Sequence, residues 1–464
     1  MAVRLTPLRI GGLVLVAVVV ATGAVVAVSL GKSPFPRPNT KGPNVLVIVT
    51  DDQRWDSLSV MPKTRALIAR HGIQFSNAVV TTPLCCPSRS SIYSGRYAHN
   101  HGVWDNNNTT YTKTSTGHLD TELTVQHVLH RAGYFTGHVD RYLNNWEDWT
   151  DHPPDFDQYA IGLPGHKAWD LDREALINGH RVHVHQYSTS WIRDMALLFL
   201  DRFHRTEASR PWLLFVTTRA PHLPAVPEAK YRVAPVPPFH PPPSFREQDL
   251  SDKPWLESAP KVTKAEVLKD RANQLRTLMS VDDMVGALFA RLQQLGELDN
   301  TLVVFTSDNG ELYGEHDLGA KRWPYDESLR VPLLVRFDAG HIPQGQVRTD
   351  VVANIDIAPT VYAVTGVRPP YTVDGHSLFS SVRRRQILVE YLHDVDVPEI
   401  PQYAGVWSPG PVFLDFPKVH REEYYAANDP YQLDNLDEER TGPDPGPYVA
   451  LLAKWRTCAG STCP

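Results

Sequence analysis

Three long apolar runs most constrain the fold of this chain. They cover residues 44–50, 212–217 and 301–306, and each is rich in valine, leucine or phenylalanine. Uninterrupted apolar runs of this length are typical of strands that are buried on both faces, as in a parallel sheet. Amphipathic helices are expected between the runs. We therefore predict an α/β domain with a mainly parallel sheet sandwiched by helices.

Two helices are predicted from apolar residues that recur every three or four positions. The clearer one spans residues 275–295, and Gly296 marks its C-terminal end. The second follows Ser190, whose hydroxyl is a candidate N-cap. Residues 234–244 contain many prolines and are predicted to form an irregular surface loop.

Polar residues follow all three predicted strands. Asp51 and Asp52 follow the first, His222 comes shortly after the second, and Asp308 and Asn309 follow the third. Since the carboxyl ends of parallel strands meet at one edge of the sheet, we expect these side chains to share one crevice. The acids and the amide offer only oxygen ligands, which suit calcium or magnesium better than zinc. A hard-cation site is therefore predicted at this edge.

The length and the N-terminus predict the domain organisation. At 464 residues the chain exceeds the size at which a single core stops growing, roughly 250–300 residues, so a large and a small domain are expected. Residues 1–32 combine two arginines with a nearly unbroken apolar run, which is typical of a signal peptide or membrane anchor. We predict a linker over 33–43, a catalytic domain over 44–383 and a small α+β subdomain over 384–464. The protein is then exported and meets the membrane only through its N-terminal segment.

Charge and cysteine content narrow the possibilities further. The formal net charge of −6 argues against nucleic-acid binding as the main function, because such domains are usually basic. Two of the four cysteines, Cys458 and Cys463, close a short loop near the C-terminus. In an exported protein this pair is predicted to form a disulfide. The alternative is a pair of unpaired thiols on a frayed tail.

The segment Cys85-Cys86-Pro87-Ser88-Arg89, followed by Ser94-Gly95-Arg96, carries the most specific signal. Taken alone, it could be a buried cysteine pair with Pro87 starting a helix and Arg89 in its first turn. The segment also resembles the signature of the type I sulfatases. This resemblance implies that a formylglycine-generating enzyme oxidises Cys85 to the aldehyde formylglycine, whose hydrate supplies the nucleophile for sulfate ester cleavage.

The similarity extends over about residues 44–436 and implies an alkaline-phosphatase-like fold. The matching blocks follow the order of the sulfatase family: residues 50–52, 85–89, 220–222, 307–310, 321 and 330–334. By this resemblance a metal ion, usually Ca²⁺ with Mg²⁺ as the alternative, is held by oxygen ligands and the modified cysteine. Those ligands are Asp51, Asp52, Cys85, Asp308 and Asn309.

The same resemblance assigns the sulfate-binding groups. Arg89, one helical turn beyond Cys85, can hold the anion or the aldehyde hydrate through charge-assisted hydrogen bonds. His222 and Lys321 are expected to contact the sulfate and to help protonate the leaving oxygen. Taken singly, such a histidine or lysine is more often a loop or surface residue, and the family blocks favour the catalytic interpretation.

Arg141 departs from the family pattern. The corresponding block usually carries a lysine that binds both the aldehyde hydrate and the sulfate. Arg141 keeps the positive charge, but its guanidinium is bulkier, forked and always protonated. The neighbouring Asp140 is a candidate partner that would draw Arg141 into an ion pair and weaken turnover.

The segment 97–101, together with the cysteine pair, resembles the N-acetylglucosamine-6-sulfatase and heparan sulfate sulfatase branch. We therefore expect a sulfuric ester hydrolase that acts on a sulfated carbohydrate or aryl sulfate. One alternative is a phosphate or phosphonate monoester hydrolase of the alkaline phosphatase superfamily, although the sequence has no matching histidine-rich second metal set. The other is a catalytically weakened protein that binds sulfated glycans.

His180, His183 and His185 form a separate cluster in the sequence. His183 and His185 alternate like one face of a strand, and Asn178-Gly179 precedes them as a turn signal. An exposed hairpin explains the three histidines better than a metal site does.

Overall fold

The structure, a computed structural model, describes residues 42–106, 119–146, 152–163, 172–206, 210–392, 397, 399–417, 419–426, 428–439 and 444–464. The predicted signal peptide or anchor over residues 1–32 and most of the linker lie outside these residues. Among the described residues, no helix combines the length and apolar character needed to cross a membrane.

The described strands form one large sheet and two smaller ones. The strands are β1 (Asn44–Asp51), β2 (Ile73–Val79), β3 (Phe135–Asp140), β4 (Gln158–Gly162), β5 (Arg173–Ile177), β6 (His180–Val184), β7 (Trp212–Pro221), β8 (Thr301–Ser307), β9 (Leu312–Tyr313), β10 (Gly319–Ala320), β11 (Leu333–Arg336), β12 (Gln346–Ala353), β13 (Ile387–Tyr391), β14 (Tyr403–Trp407), β15 (Pro411–Phe416) and β16 (His420–Tyr425).

The large sheet has ten strands in the order β12-β2-β11-β8-β1-β7-β3-β4-β5-β6. All of them except β5 and β11 run in the same direction. The three apolar runs of the sequence are β8, β1 and β7, adjacent at the centre of the sheet, and every residue of each is buried. The predicted mainly parallel α/β sheet is confirmed, and its central strands end side by side.

Helices cover both faces of this sheet. They are α1 (Pro62–Leu67), α2 (Cys85–Ser94), α3 (Ala98–His101), α4 (Val125–Arg131), α5 (Ser188–Thr206), α6 (Lys264–Leu295), α7 (Asp326–Leu329), α8 (Ile357–Thr365), α9 (Leu436–Glu439) and α10 (Gly446–Trp455). Helices α2, α4 and α8 share a core with the side chains of Val45, Val47 and Val49. On the other side, α5 and α6 contact β7.

The two predicted helices begin earlier than the apolar periodicity indicated. Helix α6 starts at Lys264, eleven residues before the predicted start, because Thr263 and Glu266 form reciprocal capping hydrogen bonds of 3.2 and 3.0 Å. It ends as predicted at Gly296, which has a left-handed backbone with φ of 69°. Helix α5 starts at Ser188 rather than after Ser190. The first turns of α6 are largely polar, and Val267 and Leu268 alone do not form an apolar repeat.

The C-terminal part contains an antiparallel sheet in the order β13-β14-β15-β16. Cys458 and Cys463 form the predicted disulfide, with a Cα–Cα distance of 5.0 Å. The loop of residues 234–244 has no regular helix or strand, as its prolines predicted. The domain boundary near residue 383 stays a prediction.

Asp140, at the end of β3, connects three neighbouring strands. Its Oδ1 accepts hydrogen bonds from the Arg173 guanidinium of β5, at 2.8 Å, and from the Gly162 amide of β4, at 3.1 Å. A side chain at position 162 would collide with both partners, since a Cβ there would lie 2.6 Å from Asp140 and 2.5 Å from Arg173. The hypothesis that Asp140 draws Arg141 into an ion pair is therefore wrong.

We predict that Asp140→Asn lowers the free energy of unfolding by about 3 kcal/mol, because it leaves the buried Arg173 guanidinium without its anionic partner. Urea unfolding of single and double variants measures the coupling. Asp140→Asn should couple strongly to Arg173→Met and weakly to Arg141→Met. The reverse order of couplings would contradict the assigned ion pair.

Candidate active site

Hydrogen bonds between the ends of the parallel strands β1 and β8 bring their acidic residues together. The Asp308 amide donates to the Thr50 carbonyl at 3.0 Å, and the Asp52 amide donates to Asp308 Oδ1 at 3.2 Å. Asp52 adopts a left-handed backbone with φ of 68°, a conformation that aspartate tolerates better than most residues. Asp51, Asp52 and Asp308 are all buried. The expected convergence of polar residues at this edge is therefore found.

Cys85 is the first residue of α2, with Leu84 as its N-cap. The expectation that Pro87 begins the helix is wrong. Pro87 lies within the first turn, where a missing N–H costs nothing because the first four amides of a helix have no partner within it. The Cys85 sulfur lies 3.5 Å from Asp51 Oδ1 and 3.0 Å from Lys321 Nζ. The start of α2 therefore places the Cys85 sulfur between an acidic and a basic side chain of the cluster.

Arg89 lies one turn further along α2 and is fully buried. Its Nε is 2.8 Å from Asp308 Oδ2, and its Nη2 is 3.4 Å from Asp51 Oδ2. Its Nη1 donates to the Arg141 carbonyl at 2.8 Å. The Arg89 guanidinium thus links α2 to the ends of β1 and β8 and to the loop after β3.

Lys321 and His222 lie on either side of Asp52. Lys321 Nζ donates to Asp52 Oδ1 at 2.5 Å, and His222 Nε2 is 3.7 Å from Asp52 Oδ2. The other ring nitrogen of His222 contacts the Leu223 carbonyl. The His222 side chain is 27% exposed, whereas the acidic residues are inaccessible or nearly so. His222 therefore faces the open side of the cluster.

Arg141 joins the same cluster rather than pairing with its neighbour. Its Nε lies 2.5 Å from Asp51 Oδ2, and its carbonyl accepts a hydrogen bond from Thr217 Oγ1 at 2.7 Å. The guanidinium therefore places a positive charge beside the Asp51 carboxylate. All the sequence-predicted site residues are thus found in one cluster.

The electrostatics reflect burial and close charges. Burial acts to raise the pKa of the Asp51 carboxyl, but Arg141 and the other cations outweigh it, so this pKa lies well below its usual range. Burial and the charge of Asp51 raise the pKa of Asp308 to about 7. Burial and Lys321 lower the pKa of His222 to about 4. Burial and the nearby carboxylates also raise the pKa of the Cys85 thiol well above its usual range.

The donor set fits a divalent cation. Asp51, Asp52, Cys85 and His222 each offer a ligand atom, all within 4.8 Å of one another. Asn309 Oδ1 is buried and has no hydrogen-bond partner among the described residues, although its amide nitrogen donates to Asp52 at 2.6 Å. An orphaned carbonyl oxygen beside buried carboxylates is what an oxygen-preferring metal requires.

Three residues near this site were not predicted from the sequence. Glu311 is buried close to Asp52, and burial together with the charge of Asp52 raises its pKa to about 8. Arg173 and Arg219 line a cavity of about 180 Å³ that also reaches Arg141. Glu311 follows the Asn309-Gly310 block directly, which is a usable signal. Arg173 has none, since only the tertiary fold brings it to this cavity.

The sequence is similar to those of known proteins. The model of the family described as Sulfatase matches residues 43–367. Human N-acetylglucosamine-6-sulfatase is 31% identical over 478 aligned residues, covering 91% of this chain and 86% of that protein. A putative extracellular sulfatase Sulf-1 homolog of Caenorhabditis elegans is 33% identical over 73% of this chain, but the match spans only 49% of its length.

The fold is shared with solved structures as well. One of them, a protein in complex with its substrate D-glucosamine-2-N,6-O-disulfate, matches with a TM-score of 0.73 at 22% identity. The match covers 89% of this chain and 97% of that one. The predicted alkaline-phosphatase-like fold is thereby confirmed, and the chain belongs to the sulfatase family of sulfuric ester hydrolases.

Proposed function

We propose that this chain hydrolyses sulfate monoesters on a sulfated sugar of the 6-O-sulfated N-acetylglucosamine class. Membership of the sulfatase family implies a metal ion and a formylglycine made from the signature cysteine. The position of Cys85 carries the proposal, because its sulfur lies beside Asp51 and Lys321 at the start of α2. A nucleophile formed there would face carboxylates that can hold a cation and cationic side chains that can hold an anion.

The proposed metal is Ca²⁺, with Mg²⁺ as the alternative. Its ligands would be Asp51, Asp52, Asp308, Asn309 and the modified Cys85. The orphaned Asn309 oxygen and the buried carboxylates support this assignment. When bound, the metal would polarise the sulfate oxygens, and the formylglycine hydrate would supply the attacking hydroxyl.

The protein side chains then have separable tasks. Arg89 would fix the acidic residues and the start of α2, because it contacts Asp51 and Asp308. Arg141 would offset the charge of Asp51 and hold the anion in place of the family lysine. Lys321 and His222, both next to Asp52, would contact the sulfate, His222 as a neutral imidazole. Burial acts to lower the pKa of Lys321, but Asp52 and the other nearby carboxylates outweigh it and raise this pKa, so Lys321 would donate the proton to the leaving oxygen.

The sugar specificity is proposed from the neighbouring cavity and from the relatives. The cavity beside Arg141 is lined by Arg173 and Arg219, whose guanidinium groups suit an anionic substituent of the substrate. Curated relatives include N-acetylglucosamine-6-sulfatases. A sulfated glucosamine is therefore the substrate class that we propose.

We further propose that the protein is exported and is matured by a formylglycine-generating enzyme. The apolar run in residues 1–32 and the Cys458–Cys463 disulfide support export. Relatives that are named extracellular sulfatases support it as well.

The adjacent cysteines provide a matched test of the nucleophile. Cys85→Ala should reduce sulfate release by more than about 10³-fold, because it removes the group that forms the covalent bond. Cys86→Ala should retain turnover, since the Cys86 side chain is packed in the hydrophobic core, where its sulfur accepts a hydrogen bond from the Asn144 amide at 3.1 Å. The measurement is kcat/KM of protein expressed together with a formylglycine-generating enzyme.

The substrates for this test are 6-O-sulfated N-acetylglucosamine, an aryl sulfate, an aryl phosphate and an aryl phosphonate monoester. The sulfated sugar should give the highest kcat/KM. Preference for the phosphonate or phosphate would instead support the other hydrolase class. Binding of the sulfated sugar without turnover of any substrate would support a glycan-binding protein and contradict our proposal.

Metal removal tests the ligand assignment separately. Calcium at about 100 times its dissociation constant should raise the free energy of unfolding by roughly 2.7 kcal/mol, and a chelator should reverse this. Asp308→Asn should lose most of the increase. Asp56→Asn is the matched control, because the Asp56 side chain is 50% exposed and pairs with Arg54 outside the cluster. An equal calcium effect in all three proteins would place the ion elsewhere.

A further inference from the structure

A second cluster of ligating side chains lies on the β5–β6 hairpin, at the edge of the ten-stranded sheet. Asp172 Oδ1 is 2.6 Å from His183 Nε2 and 3.0 Å from His185 Nδ1. The two imidazole rings have centroids 4.4 Å apart. All three side chains are exposed, at 55%, 45% and 80% respectively. A metal ion could therefore reach them directly from solvent.

The strand pairing explains why these residues meet. Strands β5 and β6 are antiparallel, and Arg173 is paired with Val184. The next position outward therefore sets Asp172 opposite His185. His183 lies two residues from His185 along the strand and so points to the same face of the sheet. Asp172 was not recognised in the sequence because the turn between the strands separates it from both histidines by more than ten residues.

We propose that Asp172, His183 and His185 form a surface binding site for Zn²⁺. Two imidazole nitrogens and one carboxylate oxygen suit this borderline metal, whereas the active site offers mainly oxygen donors for a hard cation. Ligand atoms at zinc–ligand distances of about 2.0–2.1 Å in a tetrahedron are roughly 3.3 Å apart. The carboxylate–imidazole distances of 2.6 and 3.0 Å need only small side-chain rotations to reach this spacing.

The surrounding charges permit such a site. Arg181, on the same face, lies 3.4 Å from Glu174, which offsets its positive charge. Zinc would replace the hydrogen bonds between the three side chains, and solvent would take the fourth position. Bound in this way, the ion would cross-link the start of β5 to the end of β6.

The proposal is tested by titrating zinc into the full-length protein in excess Ca²⁺ and measuring the heat of binding by isothermal titration calorimetry. The variants are His183→Gln/His185→Gln and, as a matched control, His180→Gln, which replaces an exposed histidine at the other end of β6. The wild type and the His180→Gln control should each bind one more zinc ion than the double variant. If the double variant still binds this ion, its affinity should be at least tenfold lower. Zinc held at the active site would be common to all three proteins and cancels in the comparison.

Equal zinc stoichiometry and affinity in all three proteins would overturn the proposal. So would a loss of binding in His180→Gln as large as that in the double variant, because the effect would then not depend on the assigned ligands. Asp172→Asn gives an independent check, and it should weaken zinc binding while leaving sulfate ester hydrolysis unchanged. Unaltered zinc affinity in this variant would remove Asp172 from the site.

Discussion

The active site depends on the pairing of three buried carboxylates with three cations, of which Arg89 and Lys321 are buried and Arg141 is partly buried. Asp51 contacts Arg141, Asp52 contacts Lys321, and Asp308 contacts Arg89, at 2.5, 2.5 and 2.8 Å. Removing one partner from a buried ion pair typically costs about 3–5 kcal/mol, because an uncompensated charge is left out of contact with water. The pairs therefore fix the ends of β1, β3 and β8 and the start of α2 relative to one another.

This balance also explains how the site could take up a metal and an anion together. The three acids and three cations offset one another before anything binds. A divalent cation alone would add two positive charges to a buried region, so a sulfate group and an ionised nucleophile would restore neutrality. Arg141 contributes to this balance because its guanidinium contacts Asp51, while Asp140 is held by Arg173.

The sequence predicted the central sheet from local patterns, whereas the resemblance to the sulfatase family supplied most of the candidate site residues. Uninterrupted apolar runs identified β1, β7 and β8, and the polar residues after them had to converge once the strands were parallel. Helix starts were less predictable, since the first turns of α6 are polar. The Asp140–Arg173 pair could not be predicted, because its members are 33 residues apart and meet only in the folded sheet. The cluster of Asp172, His183 and His185 could not be predicted either, because it depends on the pairing of β5 with β6. The sequence also could not show whether Arg141 pairs with Asp51 or with Asp140, because this depends on the three-dimensional positions of both carboxylates.

The central claim is that hydrolysis depends on the converted form of Cys85. The direct test is to prepare the protein with graded levels of formylglycine-generating enzyme, to quantify the aldehyde in the Cys85 peptide by mass spectrometry, and to measure sulfate release from 6-O-sulfated N-acetylglucosamine in the same samples. Activity should rise in proportion to the aldehyde fraction and extrapolate to zero without it. Full activity in a sample whose Cys85 remains a thiol would contradict the claim.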